Sequence, residues 1–96
     1  MELLVAYDVA TEDVEGRRRL RRVAQACQAY GQRVQKSVFE CVLNAADLER
    51  LVARLRSEMD EGADSIRIYQ LREPRQRYLR RYGVEPDFDL HEPLVF

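Results

Sequence analysis

Tryptophan is absent from this chain of 96 residues, histidine occurs once, and cysteine and methionine occur twice each. The single His91 sits in a proline-flanked acidic tail and reads as a surface residue. A Ser-His-Asp arrangement would need that same tail histidine, so nucleophilic hydrolase chemistry of that kind is discounted. There is no HExxH, no glycine-rich phosphate loop and no His/Cys cluster with metal spacing. Cys27 and Cys41 fall in apolar stretches without a CxxC spacing and read as buried free thiols in a reducing compartment. No apolar run approaches the roughly 18 residues that span a bilayer. A basic region followed by an apolar one is also missing at the start, so no signal peptide is expected. These absences describe a soluble, cytoplasmic protein with no membrane contact.

What is present is charge. Hydrophobic residues make up 46% and charged residues 34%, a globular composition with a heavily charged surface. The length allows one domain with a modest core, for which dimerisation is a common remedy. The net charge of −1 argues against a nucleic-acid partner, but the distribution argues for one. Residues 17–36 hold seven basic side chains (Arg17, Arg18, Arg19, Arg21, Arg22, Arg33 and Lys36) and no acid. Residues 67–81 hold six arginines against the single Glu73. The acids collect around residues 47–64 and in the tail. A phosphate backbone feels local potential rather than net charge. Fifteen of the sixteen basic residues are arginine, which suits bidentate phosphate contact.

Along the chain, Leu3 to Tyr7 is a short apolar run and predicts a strand buried on both faces in the middle of a sheet. It ends at Asp8. Thr11 and Asp13 are both candidate helix caps. Leu20, Val23, Ala24, Cys27 and Tyr30 mark one face of a helix ending at Tyr30, and Gly31 fits a left-handed C-terminal position. Residues 33–43 cannot bury one face consistently, which favours a bend near residues 35–37 between a short strand at 33–35 and a longer one at 37–43. Asn44 reads as the cap of a second amphipathic helix, carrying Leu48, Leu51, Val52, Leu55 and Met59 and ended by Gly62. Residues 65–71 alternate as a strand. Residues 77–82 fit either a further strand or a helical turn. The apolar end, Leu94-Val95-Phe96, suits strand addition to a partner's sheet edge. The order matches an α+β class: a ferredoxin-like βαββαβ sandwich, domain 1–83, followed by a tail strand over 84–96.

Asp8 is the carboxylate of interest. A strand-end aspartate is either a loop anchor or a functional ligand. Magnesium needs only one or two carboxylates, and a two-fold axis could bring two copies of Asp8 together. The arginines of residues 17–22, without an acid among them, are costly to hold together unless something anionic is near. The tyrosines and Phe39 are core residues or base-stacking platforms.

The stretch Arg33-Val34-Gln35-Lys36-Ser37-Val38-Phe39-Glu40-Cys41 resembles the CRISPR-associated Cas-two family, as do the opening Val5-Ala6-Tyr7-Asp8-Val9 and the strand Ile66-Arg67-Ile68-Tyr69-Gln70-Leu71. The resemblance covers residues 1–83. It implies a ferredoxin-like homodimer in which the C-terminal strand crosses to the partner's sheet. It also implies a magnesium-dependent (or manganese-dependent) endonuclease on single-stranded RNA or double-stranded DNA, working with the Cas-one integrase in spacer acquisition. Asp8 would be the metal-binding aspartate, Tyr7, Ser37 and Phe39 would complete the catalytic cleft, and the arginines would bind phosphates. The Glu73-Pro74-Arg75-Gln76-Arg77 loop departs from the family pattern. A catalytically silent nucleic-acid adaptor and a toxin-like ferredoxin-fold RNA binder are the alternatives. One carboxylate per chain without an evident general base is a thin catalytic apparatus, which favours the adaptor.

Overall fold

The computed structural model describes residues 1–84. In chain order it contains β1 (Glu2–Asp8), α1 (Val14–Tyr30), β2 (Gly31–Gln35), β3 (Val38–Val42), α2 (Ala45–Glu58), β4 (Ser65–Gln70) and a single turn, α3 (Arg75–Tyr78). The strands form one antiparallel sheet in the order β2-β3-β1-β4, with β1 bonded to β3 on one side and β4 on the other. This is the ferredoxin-like βαββαβ arrangement expected from the element order. The expected tail strand and His91 fall outside the described residues.

Local chemistry sets the helices. Asp13 caps α1 by accepting a bond from the Gly16 amide at 2.7 Å, so of the two candidate caps it is Asp13 rather than Thr11. Leu20, Val23, Ala24 and Cys27 are buried on the face that meets the sheet. Asn44 caps α2 through the Asp47 amide at 2.8 Å, and Leu51 and Leu55 bury the corresponding stripe. On the sheet, period-2 alternation sends Leu3, Val5 and Tyr7 of β1 and Phe39 and Cys41 of β3 to the helix side, where they form the core.

Three sequence expectations change. β1 lies in the middle of the sheet, but Glu2, Leu4 and Ala6 on its far side are half-buried, so one face alone is closed by this chain. Gly31 is extended, with φ −161°, and opens β2 instead of taking a left-handed turn. Its missing side chain answers a steric demand, since a Cβ there would lie 2.5 Å from the Glu40 carbonyl oxygen and collide with the Cys41 sulfur. The second helix stops at Glu58, ahead of Gly62, in a turn closed by the Asp64 amide on the Asp60 carbonyl at 2.7 Å. Residues 75–78 make a helical turn that takes in only the start of the 77–82 stretch, and residues 79–82 are neither helix nor strand. The bend near residues 35–37 is present: Lys36 and Ser37 form the turn between β2 and β3, with a bulge between Arg33 and Gln35, and the two phases are the two faces of β3, Phe39 and Cys41 buried and Val38 and Val42 opposite them.

Candidate nucleic-acid and metal site

β1 delivers Asp8 to the end of the sheet, where the side chain is exposed. By strand parity Asp8 shares the far face of the sheet with Leu4 and Ala6, away from both helices. A cleft of about 420 Å³ opens beside it, lined by Tyr7, Asp8, Val9, Thr11, Leu20, Lys36 and Ser37. The β2–β3 turn reaches this end because the Tyr7 amide donates to the Ser37 carbonyl at 3.0 Å and the Tyr7 hydroxyl to the Lys36 carbonyl at 3.4 Å. Two segments about 30 residues apart in sequence thus bring one acid, one base and three hydroxyls to a single concavity.

Under the cleft, Tyr7 stacks on Phe39 with ring centroids 6.2 Å apart. The Arg33 guanidinium lies over the Phe39 ring, 4.8 Å from its centroid. Arg33 is 4% exposed and shares the helix side of the sheet with Phe39, its cross-strand partner. Burial pushes the Tyr7 hydroxyl above its ordinary pKa, and Arg33 pulls against that by hydrogen bonding and charge. The tyrosine is a neutral hydrogen-bonding group, and Arg33 is its underpinning.

The α1 arginines diverge. The sequence shows no acid inside the 17–22 run, yet three of its arginines find acids from elsewhere. Arg18 pairs with Glu15 at 3.0 Å, Arg22 with Glu58 at 3.9 Å, and Arg19 with Asp64 at 2.9 Å. The anionic neighbour anticipated for the cluster is therefore supplied in part by the protein's own carboxylates. Arg17 stays at the cleft rim, where it is exposed and donates to the Thr11 carbonyl at 3.4 Å. Arg21 and Lys36 are exposed. Of the predicted site residues, Tyr7, Asp8, Lys36 and Ser37 line the cleft, Phe39 and Arg33 support it, and Arg17 borders it. Arg18 and Arg22 turn to other partners.

Asp64 was not singled out from sequence, where it merged into the acidic block of residues 47–64. It lies beside Ser65, the cross-strand partner of Asp8. The available signal was its place directly before a strand, β4, which begins where the antiparallel β1 ends.

The cleft donors are the Asp8 carboxylate and the hydroxyls of Ser37 and Thr11, with no nitrogen or sulfur ligand. An all-oxygen set of this kind suits a hard divalent ion such as magnesium, which keeps several waters and takes one or two carboxylates. No group of three or more His, Cys, Asp or Glu side chains gathers anywhere among the described residues. A bound ion here would complete its shell with water and substrate phosphate. No helix among the described residues is long and apolar enough to cross a membrane.

Comparison with known proteins agrees with this geometry. The chain is 54% identical over 95 residues to the CRISPR-associated endoribonuclease Cas2 1 of Moorella thermoacetica, covering 99% of each chain. It is 47% identical over 96 residues to the CRISPR-associated endonuclease Cas2 of Halalkalibacterium halodurans, covering all of both. The crystal structure of Streptococcus pyogenes Cas2 at pH 6.5 superposes with a TM-score of 0.78 at 49% identity, over 86% of this chain and 100% of that one. Residues 1–78 match the family model of the CRISPR associated protein Cas2. A four-stranded antiparallel sheet in this strand order, an aspartate closing its first strand, and full-length identity near one half lead to one conclusion: the chain belongs to the Cas2 family.

Proposed function

We propose that this protein is a homodimeric, metal-dependent endonuclease of CRISPR spacer acquisition, acting on single-stranded RNA or double-stranded DNA. The observation that carries the reading is Asp8, an exposed strand-end carboxylate in a cleft that also presents Lys36, Ser37 and Thr11. Asp8 would hold a magnesium or manganese ion, which supplies charge neutralisation at the scissile phosphate and an activated water. Lys36 and Arg17 attract the phosphate backbone to the cleft. Ser37 offers a hydroxyl to a phosphate oxygen, and the Tyr7–Phe39 stack keeps the floor rigid. The endoribonuclease and endonuclease names of the relatives support the reaction class.

The far face of the sheet supports the dimer. Val42 is 66% exposed and Tyr69 is 46% exposed there, beside half-buried Leu4 and Ala6. Asp8 stands on the same face, so pairing two such faces would bring the two carboxylates toward one axis. The tail, ending Leu94-Val95-Phe96, is the candidate segment for strand addition to the partner. The free thiols Cys27 and Cys41 suit a reducing cytoplasm.

A second reading is a scaffold that holds duplex DNA and docks the Cas-one integrase without cutting. Its support is the single carboxylate in the cleft, with no second acid or histidine among the lining residues to act as general base.

The deciding experiment is cleavage of labelled single-stranded RNA and duplex DNA with magnesium, manganese or chelator, comparing wild type with Asp8→Asn. Metal-dependent cutting that falls by about a hundredfold or more in the variant supports the nuclease. Equal activity in both sinks it. Binding without cutting, weakened steeply by salt, selects the scaffold.

A further inference from the structure

Asp64 is a carboxylate with no exposed side-chain surface, and its partners come from the segment after Asp8, from α1 and from its own turn. The Ala10 amide donates to its Oδ1 at 3.0 Å. Arg19 donates through Nε to Oδ2 at 2.9 Å and through a terminal nitrogen to Oδ1 at 3.4 Å. The Asp60 amide donates to Oδ2 at 2.9 Å. A buried carboxylate stripped of such donors costs several kcal/mol, so these bonds are obligatory once the fold buries it. Burial pushes the Asp64 carboxyl up, but the bonds from Arg19, Asp60 and Ala10 prevail and bring it below the ordinary carboxylate value.

Ala10 lies two residues past Asp8 and is gripped from both sides. Its N–H is held by Asp64. Its carbonyl leans on Gly16, where an added Cβ would approach the Ala10 carbonyl carbon to 3.0 Å and collide with its oxygen. The segment between Asp8 and the Asp13 cap is thereby pinned at its middle. Asp64 is also next to Ser65, which pairs with Asp8 across β1 and β4. Arg19 faces inward, with an 18% exposed side chain, whereas Arg17 on the same helix is exposed.

We propose that Arg19 and Asp64 form a latch that fixes the Ala10 turn and thereby the direction of the Asp8 carboxylate. Arg19 is then a positioning residue rather than a phosphate contact. The inference rests on the reading of Asp8 as the metal-holding group. It departs from the phosphate-binding role that the family resemblance implies for Arg19, and leaves Arg17 and Lys36 as the basic side chains at the cleft.

The test uses full-length Arg19→Met and Asp64→Asn, with Arg50→Met as a control that breaks an exposed pair on α2. Thermal melts first establish that each variant is folded; should Asp64→Asn fail to fold, Arg19→Met carries the experiment. Manganese is titrated and the paramagnetic broadening of the Asp8 and Ser65 amides gives its affinity. The latch weakens manganese binding about tenfold in Arg19→Met and Asp64→Asn, with the double variant no worse than either single. Arg50→Met stays at the wild-type value, and Arg19→Lys recovers part of the loss. Unchanged manganese affinity in Arg19→Met overturns the latch. Duplex binding at several salt concentrations is the second arm. Arg19→Met keeps the wild-type slope of log affinity against log salt, and a slope reduced by about 0.9 overturns the proposal by making Arg19 a phosphate contact. If wild type binds no manganese near Asp8, the metal reading fails by itself. The latch is then judged on hydrogen exchange at the Ala10 amide, which accelerates about tenfold in Arg19→Met if it is correct and stays unchanged if it is not.

Discussion

The Arg75 guanidinium meets the Glu40 carboxylate at 2.7 Å, tying the turn after β4 to the far face of β3. Glu2 completes the arrangement. Its carboxylate accepts the Arg75 amide at 2.6 Å and lies 3.6 Å from the guanidinium. One arginine thus bridges two strand acids and fixes where the chain leaves the sheet. Glu73 and Arg75 belong to the loop that departs from the family pattern, and this geometry makes Arg75 a structural clamp. The neighbouring Arg77 and Arg80 remain exposed.

Removing that clamp should loosen the C-terminal exit more than the core. Arg75→Ala is expected to cost about 0.5–1 kcal/mol, the range for partly exposed ion pairs. Urea denaturation reads the stability. Limited trypsin digestion should cut sooner after Arg77 and Arg80 in the variant, and unchanged digestion would show that the clamp does not hold this segment.

Asp64 makes a prediction about acid stability. Its carboxyl lies below the ordinary value of about 3.9 in the folded chain. Its stabilising contribution is therefore complete above that ordinary value and is lost as pH falls through the lower folded value. As pH falls below about 4, melts of wild type should drop more steeply than those of Asp64→Asn, which has no such proton to gain. Parallel melting curves over that range would contradict it.

Cys27 makes the alkaline counterpart. Burial pushes its thiol up to about 12, helped by the neighbouring Cys41. In the unfolded chain a thiol ionises near about 8.5, so the contribution is complete below that pH and erodes as pH rises toward the folded value. Iodoacetamide at mildly alkaline pH should leave Cys27 unmodified in the native protein and label it in urea. Rapid native labelling would mean the site opens locally.

Gly31→Ala and Gly16→Ala should both destabilise, for a steric reason. Each new methyl meets fixed backbone, the Glu40 carbonyl in one case and the Ala10 carbonyl in the other, with no flexible side chain able to give way alone. A loss of about 1–3 kcal/mol in denaturant melts is expected for each. Gly16→Ala should in addition speed exchange at the Ala10 amide, which Gly31→Ala should not.

The sequence by itself determined much of what depends on near neighbours, though not the helix ends, where Gly31 is extended and the second helix stops before Gly62. The stripe from Leu20 to Cys27, the caps Asp13 and Asn44, and the conflicting phases of residues 33–43 are set by side chains a few positions apart. Periodicity and capping therefore read them correctly, and Asp8 stood out because it ends an apolar run. Tertiary structure decided what depends on register between distant strands. Arg19 meets Asp64 across 45 positions, so a run that looked like unneutralised positive charge is partly neutralised from outside. Arg33 lies on the helix side because it pairs directly with Phe39 across β2 and β3, and no periodicity count gives the register between two strands. Gly31 is small because β3 passes close to it, a demand made by a strand that forms seven residues later in the chain. Side-chain period and helix capping are local energies written into adjacent residues, whereas burial and ion pairing arise only when the sheet has chosen its order.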